Sequence, residues 1–231
     1  MSKPGGTDTS SRVIQARITL KGTKPPIWRQ VALPSNITLG QLHEVIQIVM
    51  GWMNEHLHQF VLRDKGLKPS PEEMAERLRQ RTLDDAFLSR MSGTRMFVPR
   101  TDPMGGELDM DGEDEDAVTL QQICPRPKSK LIYEYDFGDG WQHVIEVQKI
   151  VAPQDNTDLP LCLRGENACP PEDCGGLWGY YEMLEAVKDP GHKMHEHYAE
   201  WLGGDFDPAA FDLEGVNAEL ARWRKPDGPR R

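Results

Sequence analysis

The stretch YEYDFGDGWQH, residues 133–143, concentrates side chains that could form a binding or catalytic site. It combines aromatic rings with carboxylates, glycines and a histidine, a mixture that suits a polar pocket with stacking walls. Two interpretations of this stretch are open. In the first, it is a hairpin whose rings belong to the core. In the second, Tyr135, Asp139, Trp141 and His143 lie at the mouth of a pocket and bind a ligand or a partner.

Three histidines are candidate metal ligands. His56 and His58 are two residues apart, so on a strand both side chains would point to the same side. Together with His143 they would offer a set of imidazole nitrogens that can hold zinc and leave one position open for water. This set is the basis for a metal-dependent hydrolase with Asp139 or Glu55 as the base. In the competing interpretation, they are partly buried histidines without a metal.

A second possible zinc cluster consists of Cys162, Cys169 and Cys174. Structural zinc sites usually pair cysteines more closely and need a fourth ligand, so buried thiols without a metal explain the pattern as well. Glu172 and Asp173 lie beside the last cysteine and disfavour the electropositive setting that a nucleophilic thiolate needs. We therefore expect no bound cofactor, with zinc as the alternative.

The hairpin is the first of the elements that must position these residues. If the loop is Gly138–Gly140, the alternation of a strand places Phe137 opposite Trp141 and Tyr135 opposite His143. These four side chains then lie on one side of the sheet, and the other side is mostly polar. The hairpin is therefore amphipathic, and we expect its aromatic side to face the core.

Hydrophobic periodicity predicts the strands and helices around the hairpin. Strands are expected at 13–20, 27–33, 56–62, 130–137 and 142–151. Helices are expected at 38–50, 71–81, 177–189 and 192–202, with a last helix that ends near Trp223. The helix over 38–50 is the best defined, because Thr38 and Gln41 form a capping box ahead of its apolar face. This order predicts the α+β class, with an antiparallel-rich sheet, one amphipathic helix after the first two strands and a C-terminal helical segment.

The sequence predicts one domain with irregular ends. Residues 1–11 are rich in glycine, serine and threonine and are expected to form a disordered tail. Residues 12–223 are expected to form a single α+β domain, with an inserted, partly disordered segment at about 67–117. That segment contains the acidic run GGELDMDGEDEDA, which lacks the bidentate glutamate that a calcium loop needs at its last position. Residues 224–231 form a basic tail.

Composition and charge restrict the partners. The chain has 231 residues, of which 38% are hydrophobic and 28% charged, and its net charge is −10. A negative field of this size repels phosphate backbones, so non-specific nucleic-acid binding is not expected. The sequence has no secretory h-region and no apolar stretch of about 20 residues. We therefore expect a cytoplasmic protein without a membrane partner.

Several segments together resemble one known family. The stretches KPPIWRQVALPSNITLGQLHEVIQIVMGW, HLHQF, YEYDFGDGWQH, GENACPPEDCGG and EWLGGDFDPAAFDLEGVN occur in this order. They resemble the plasmid open-reading-frame-three-like family of the Ri-plasmid group, also described as insertion-element passenger or TnpR-like proteins. The resemblance covers roughly 13–66 and 118–220. It implies an α+β domain of bacterial or plasmid-borne origin, associated with mobile elements in some relatives, and it implies no particular reaction.

Three functions remain open at this point. The first is a non-enzymatic binding or accessory protein for an unknown protein or small-molecule ligand, favoured because no catalytic constellation in the sequence is complete. The second is the metal-dependent hydrolase built on the three histidines. The third is a nucleic-acid accessory factor, which would need the C-terminal basic residues as a local patch. Those residues are Arg222, Arg224, Lys225, Arg230 and Arg231.

Overall fold

The computed structural model describes residues 12–63, 70–82, 93–153, 158–204 and 206–224. Its strands are β1 (Val13–Leu20), β2 (Trp28–Pro34), β3 (His58–Arg63), β4 (Thr94–Val98), β5 (Glu113–Asp114), β6 (Lys130–Tyr135), β7 (Trp141–Val151) and β8 (Leu161–Glu166). Its helices are α1 (Leu39–Met50), α2 (Pro71–Gln80), α3 (Leu120–Ile123), α4 (Gly176–Lys188), α5 (His195–Leu202) and α6 (Leu213–Trp223). A 3-10 turn, Glu115–Ala117, follows β5. The predicted α+β class is confirmed.

A single sheet connects the strands of the described residues. Eight strands join in the order β5-β4-β3-β6-β7-β1-β2-β8. Neighbouring strands are antiparallel, except that β4 and β5 are parallel. Buried and half-buried residues alternate along β1 and along most of β7, as expected for strands with two different faces. The sheet is therefore antiparallel-rich, as the sequence predicts.

Helix α1 supplies a large apolar surface to the core. Nine of its residues are buried, and its apolar side chains share one hydrophobic cluster with those of the strands. The predicted capping box is present, because the Thr38 hydroxyl accepts a hydrogen bond from the Gln41 amide at 3.1 Å and the Gln41 side chain accepts one from the Thr38 amide at 3.2 Å. The helix ends at Gly51, whose φ of 84° suits a residue without a Cβ atom.

The hairpin has a different register from the one that the sequence suggested. Tyr135 pairs with Trp141 and Tyr133 with His143, so the loop runs from Asp136 to Gly140. The loop is longer because Asp136 takes a left-handed backbone conformation, with φ at 53°, and leaves the strand. Phe137, expected in the core, is consequently 49% exposed. The shift by two residues keeps the side chains that remain in the two strands on their predicted faces, and the aromatic side of the strands lies in the core.

The segment predicted as an insertion at 67–117 contributes to the sheet. Within its described part, β4 pairs with β3 and β5 pairs with β4. The acidic run carries β5 and turns Glu115 inward, where it is 5% exposed. Helix α2 keeps the expected solvated character, since it buries none of its residues, and most of the acidic loop before β5 is exposed as well. Residues 67–69 and 83–92 of this segment lie outside the described residues, as do residues 64–66, the 1–11 tail and residues 225–231.

Helix α6 packs on the edge strand β8 and on α1. The Asn217 side-chain oxygen accepts from the Cys162 amide at 2.8 Å, and its nitrogen donates to the Cys162 carbonyl at 2.9 Å. At the end of the helix, the Trp223 indole donates to the Glu44 carboxylate at 2.5 Å. None of the helices in the described ranges has the length and apolar character of a membrane span.

Candidate functional site

A cleft of about 1070 Å³ opens at the N-terminal half of α1. The 3-10 turn, the loop after β4 and the end of α6 form its other walls. Most of the ionisable side chains in the lining are acidic. The carboxylates are Glu44, Asp102, Asp114, Glu115 and Asp116. The lining also contains Arg100 and Arg224, which keep their positive charge while their guanidinium groups donate to backbone carbonyl oxygens, so the acidic side chains outnumber the basic ones.

A buried carboxyl and imidazole pair forms part of the cleft wall. The Nε2 atom of His58 lies 2.9 Å from one carboxyl oxygen of Glu115 and 3.2 Å from the other. Burial raises the pKa of Glu115 to about 8, assisted by the neighbouring carboxylates of Asp116 and Asp114. Burial also lowers the pKa of His58 to about 3. Both shifts favour a neutral pair, in which protonated Glu115 donates to a neutral imidazole.

His43 stacks on this pair from α1. Its ring centroid is 3.5 Å from that of His58, and the two rings are nearly parallel. Its Nδ1 atom lies 2.7 Å from the Tyr133 hydroxyl and its Nε2 atom 2.8 Å from the Asn54 side-chain oxygen. The pKa of His43 is lowered well below its ordinary value by burial and by the neighbouring His58. The stacked imidazoles are therefore uncharged at neutral pH and continue into a hydrogen-bonded network.

The start of α1 and the 3-10 turn hold Glu115 in place. The backbone of Thr38 bridges to that of Thr119, and the Thr38 hydroxyl lies 3.3 Å from the Asp116 carboxylate. A Cβ atom at position 40 would lie 2.3 Å from the same carboxylate, so only glycine permits this close approach. The carboxylate of Asp116 thus occupies the N-terminal end of α1, where the helix dipole favours negative charge.

A second polar cluster lies at the tip of the hairpin. The Nε2 atom of His56 is 3.1 Å from the Asp173 carboxylate and 3.7 Å from that of Asp136. One ligand atom from each of these side chains falls within 4.8 Å of the others, and this is the only such group of three found in the described ranges. The residues come from three separate loops, which explains why sequence spacing does not group them.

The three predicted histidine ligands lie in different surroundings. His56 precedes β3 and is part of the hairpin-tip cluster, whereas His58 begins β3 and bonds to Glu115. His143 is fully buried among the rings of Trp52 and Tyr133, and burial lowers its pKa to about 3. Neither of its ring nitrogens has a hydrogen-bond partner in the described part of the chain. The structure therefore does not bring the three imidazoles together as one ligand set.

The other residues predicted for a pocket mouth occupy the core and the hairpin tip. Tyr135 and Trp141 are buried at 1% and 2% exposure, on the aromatic side of the hairpin. The Tyr135 hydroxyl donates to the Glu172 carboxylate and accepts from the Glu55 amide at 3.1 Å. Asp139 is half-buried, and its carboxylate accepts from the Gly175 amide at 3.2 Å. These residues link the hairpin to the loop before α4.

The cysteines of the second predicted cluster are free thiols. Burial raises the pKa of Cys162 to about 11 and those of Cys169 and Cys174 to about 12. The thiols are therefore protonated at neutral pH, and the three do not form a metal-ligand group in the described ranges. In the predicted basic patch, Arg222 pairs with Glu219, while Arg224 donates to the carbonyls of 158 and 160.

Sequence reasoning missed four residues of these two sites. They are His43, Glu115, Asp136 and Asp173. His43 falls on the helix face that turns inward, so its burial could be read from the periodicity of α1. Asp136 belongs to the quoted hairpin stretch, but the assumed register placed it on the strand. Glu115 and Asp173 come from loops, and nothing in their spacing marks them.

The fold and the two polar sites define a mixed α/β protein with an eight-stranded, mostly antiparallel sheet. The chain belongs to the plasmid pRiA4b ORF-3-like protein family, whose model matches residues 12–215. The family resemblance proposed from the sequence is therefore confirmed, and the matched range includes the segment predicted as an insertion at 67–117.

Two relatives extend over most of the chain. An uncharacterised protein, y4hQ, of Sinorhizobium fredii (strain NBRC 101917 / NGR234) is 33% identical over 218 residues, which cover 92% of this chain and 95% of that protein. The crystal structure of MM3350 from Methanosarcina mazei Go1, described as a protein of unknown function, superposes with a TM-score of 0.64 at 32% identity. The superposition covers 89% of this chain and 98% of the other.

Proposed function

We propose that the protein is a non-enzymatic binding module whose cleft takes a small ligand with positive charge, such as an amine or a guanidinium. The observation that carries the proposal is the acidic cleft beside α1, with the buried Glu115–His58 pair in its wall. A volume of about 1070 Å³ suits a small molecule.

The charges around the cleft support a cation. Five acidic side chains line it against two arginines, and the two imidazoles are uncharged, so the lining is negative overall even while Glu115 is protonated. The net charge of the whole chain, −10, has the same sign and would attract a cation from a distance. The N-terminal end of α1 could otherwise bind an anion, but the Asp116 carboxylate already lies there.

The proton on Glu115 gives the proposal a measurable signature. A cation bound beside this side chain favours its ionised form and therefore competes with the proton. With a pKa of about 8, Glu115 is mostly protonated at pH 6.5 and mostly ionised at pH 8.5. The affinity for a cation should consequently rise with pH across this range and level off above it.

The test is calorimetric titration with agmatine, which carries a guanidinium and an amine, at pH 6.5 and pH 8.5. We expect one saturable site, with a Kd roughly 25-fold lower at the higher pH because the competent, ionised fraction of Glu115 is larger. Glu115→Gln should weaken binding at pH 8.5 and remove the pH dependence. Succinate, which carries the opposite charge, should not bind.

The matched control is Glu107→Gln, which removes an exposed carboxylate from the same segment but outside the cleft lining. Equal affinities in the two glutamine variants would mean that agmatine responds only to the overall negative charge, and the proposal would fail. It would also fail if succinate bound as tightly as agmatine.

The geometry gives less support to the two other candidate functions. The hydrolase needs three imidazoles on one ion, and His56, His58 and His143 have separate partners or none. The nucleic-acid factor needs free basic groups, and Arg222 and Arg224 are engaged. We propose in addition that the binding module works in the cytoplasm and is associated with a plasmid or mobile element; the family's description supports the link to a plasmid.

A further inference from the structure

Three loops meet at the tip of the hairpin, away from the acidic cleft. His56 lies between α1 and β3, Asp136 begins the hairpin loop, and Asp173 lies between β8 and α4. None of the three lines the acidic cleft. The Nε2 atom of His56 stands between two carboxylates, 3.1 Å from an oxygen of Asp173 and 3.7 Å from an oxygen of Asp136.

Hydrogen bonds outside the cluster fix the three loops to one another. The Asp136 amide donates to the carbonyl of residue 57 at 2.9 Å, which ties the hairpin to the loop of His56. The Gly175 amide donates to the Asp139 carboxylate at 3.2 Å, and the Glu172 carboxylate accepts from the Met53 amide at 2.7 Å. The three side chains are therefore held close together by contacts in which they take little part, as a preorganised ligand set requires.

The donor atoms of the cluster are only partly used. The Nε2 atom of His56 is shielded from solvent and makes no hydrogen bond of acceptable geometry within the described ranges, although two carboxylates are near. One carboxyl oxygen of Asp136 accepts from the amides of Gly138 and Asp139, at 2.9 and 3.2 Å, and the other oxygen is the one that faces His56. A buried polar atom without a partner requires an explanation, and a bound metal ion is one that fits its neighbours.

We propose that His56, Asp136 and Asp173 bind one divalent transition-metal ion, with zinc as the best match. An imidazole nitrogen favours zinc over magnesium or calcium, and carboxylate oxygens complete a common zinc donor set. Two carboxylates also balance the charge of a divalent cation. The ion can enter from solvent, because the Asp173 side chain is 64% exposed.

Zinc binding is tested on untagged protein that has been stripped with a chelator and dialysed. Titration calorimetry with zinc chloride should show one site per chain, and elemental analysis after dialysis should find about one zinc. His56→Ala and Asp136→Asn should each weaken binding at least tenfold. The asparagine keeps a carbonyl oxygen for the two turn amides, so this variant removes the ligand and preserves the loop.

Asp139→Asn is the matched control, since it makes the same charge change three residues away in the same loop and keeps a carbonyl oxygen that can accept from the Gly175 amide. Cys169→Ser and Cys174→Ser test the competing thiol ligands, and the absorption spectrum of the cobalt-loaded protein separates nitrogen and oxygen ligands from thiolates. The proposal predicts binding that survives in these three variants and a cobalt spectrum without thiolate bands. Zinc that persists in His56→Ala and Asp136→Asn, or no zinc binding by the wild-type protein, would overturn it. None of these zinc measurements depends on whether agmatine binds at the cleft, so the two proposals can fail separately.

Discussion

Glu115 and His58 illustrate how burial acts on acids and bases in opposite directions. Each is shielded from water, which disfavours the charged form of both groups, so the pKa of the acid rises and that of the imidazole falls. The hydrogen bond at 2.9 Å then needs only one proton, held by the carboxyl group. The stacked ring of His43 contributes to the burial of His58. The pair is therefore a polar but uncharged part of the cleft wall.

Glu115→Gln should change how stability depends on pH. In the unfolded chain the acid titrates near its ordinary pKa of 4.5, whereas in the folded chain its pKa is about 8. Protonated Glu115 therefore makes its full contribution to the free energy of unfolding of the wild-type protein below pH 4.5. This contribution is lost as the pH rises to about 8. Glutamine does not titrate, so the variant should gain roughly 2–4 kcal/mol relative to wild type between pH 5 and pH 8.5. Urea unfolding at the two pH values measures this difference.

Glu107→Gln serves again as the exposed control. Its free energy of unfolding should equal that of the wild-type protein at both pH values. His58 makes stability depend on pH in the opposite direction, because its pKa is lowered in the folded chain. This effect falls between about pH 6.5 and pH 3 and is common to wild type and variant. A stability difference between Glu115→Gln and wild type that stays constant from pH 5 to pH 8.5 would contradict the raised pKa of Glu115.

In each polar site, the sequence identified the histidine of β3 or of the loop before it and missed the acidic residues that lie next to it. His58 was selected for its spacing from His56, yet spacing within a strand says nothing about Glu115, which approaches from a distant turn. Asp136 was visible in the quoted stretch, but its position depends on a backbone φ of 53° that alternation along a strand cannot predict. Groups brought together by long-range packing leave no local signal, which is why Asp173 was not found.

At the scale of elements, α1 and α2 begin with similar caps and differ in what they bury. Both helices have a hydroxyl side chain that accepts a hydrogen bond from the third helical amide, from Thr38 in α1 and from Ser70 in α2. Nine residues of α1 are buried, and none of α2 is. Helix α1 must therefore unfold with the whole core, while α2 can unravel locally without exposing it.

Removal of the two caps should have different consequences. We expect Thr38→Ala to lower the free energy of global unfolding by about 1 kcal/mol, because the cap is lost from a helix that unfolds with the core. Ser70→Ala should leave global unfolding within about 0.3 kcal/mol of wild type and speed amide exchange only in α2. Urea denaturation and hydrogen exchange give the two readouts.

Thr38→Ser is the matched control for α1, since it keeps the hydroxyl that accepts from Gln41 and should restore most of the lost stability. Equal losses of global stability in Thr38→Ala and Ser70→Ala would show that α2 is coupled to the core. The caps themselves were predictable, because a capping box is a local pattern of four residues. The register of the hairpin was not predictable from a local pattern, because it depends on where Asp136 leaves the strand.

For the molecule as a whole, the sheet has to protect its two edges. Strand β8 lies at one end of the order and exposes backbone groups that another chain could pair with. Asn217 reaches across from α6 and bonds to both the amide and the carbonyl of Cys162, at 2.8 and 2.9 Å. An asparagine side chain has the same donor and acceptor pair as a peptide group, so it satisfies the strand as a neighbouring strand would.

Asn217→Ala should promote self-association. The change leaves the amide and carbonyl of Cys162 without this partner, which should cost roughly 1–3 kcal/mol and make the edge available for pairing. Sedimentation velocity at increasing concentration should show larger species than wild type. Glu214→Gln changes an exposed residue of the same helix, and this variant should form no larger species than wild type. A monomer-to-oligomer ratio unchanged from wild type in Asn217→Ala would refute the edge role.

The central pairing of the sheet also has a consequence for the growing chain. β1 pairs with β7 along its whole length, from Val13 with Val151 to Leu20 with His143. β1 and β2 leave the ribosome early and can form their own hairpin, but the strand that completes the middle of the sheet is made much later. Until then the outer edge of β1 stays uncovered, and the outer edge of β2 stays uncovered until β8 follows. The shorter nascent chains are therefore the forms of this protein that most need shielding from aggregation, and the sheet is complete only once β8, which ends at Glu166, has been added.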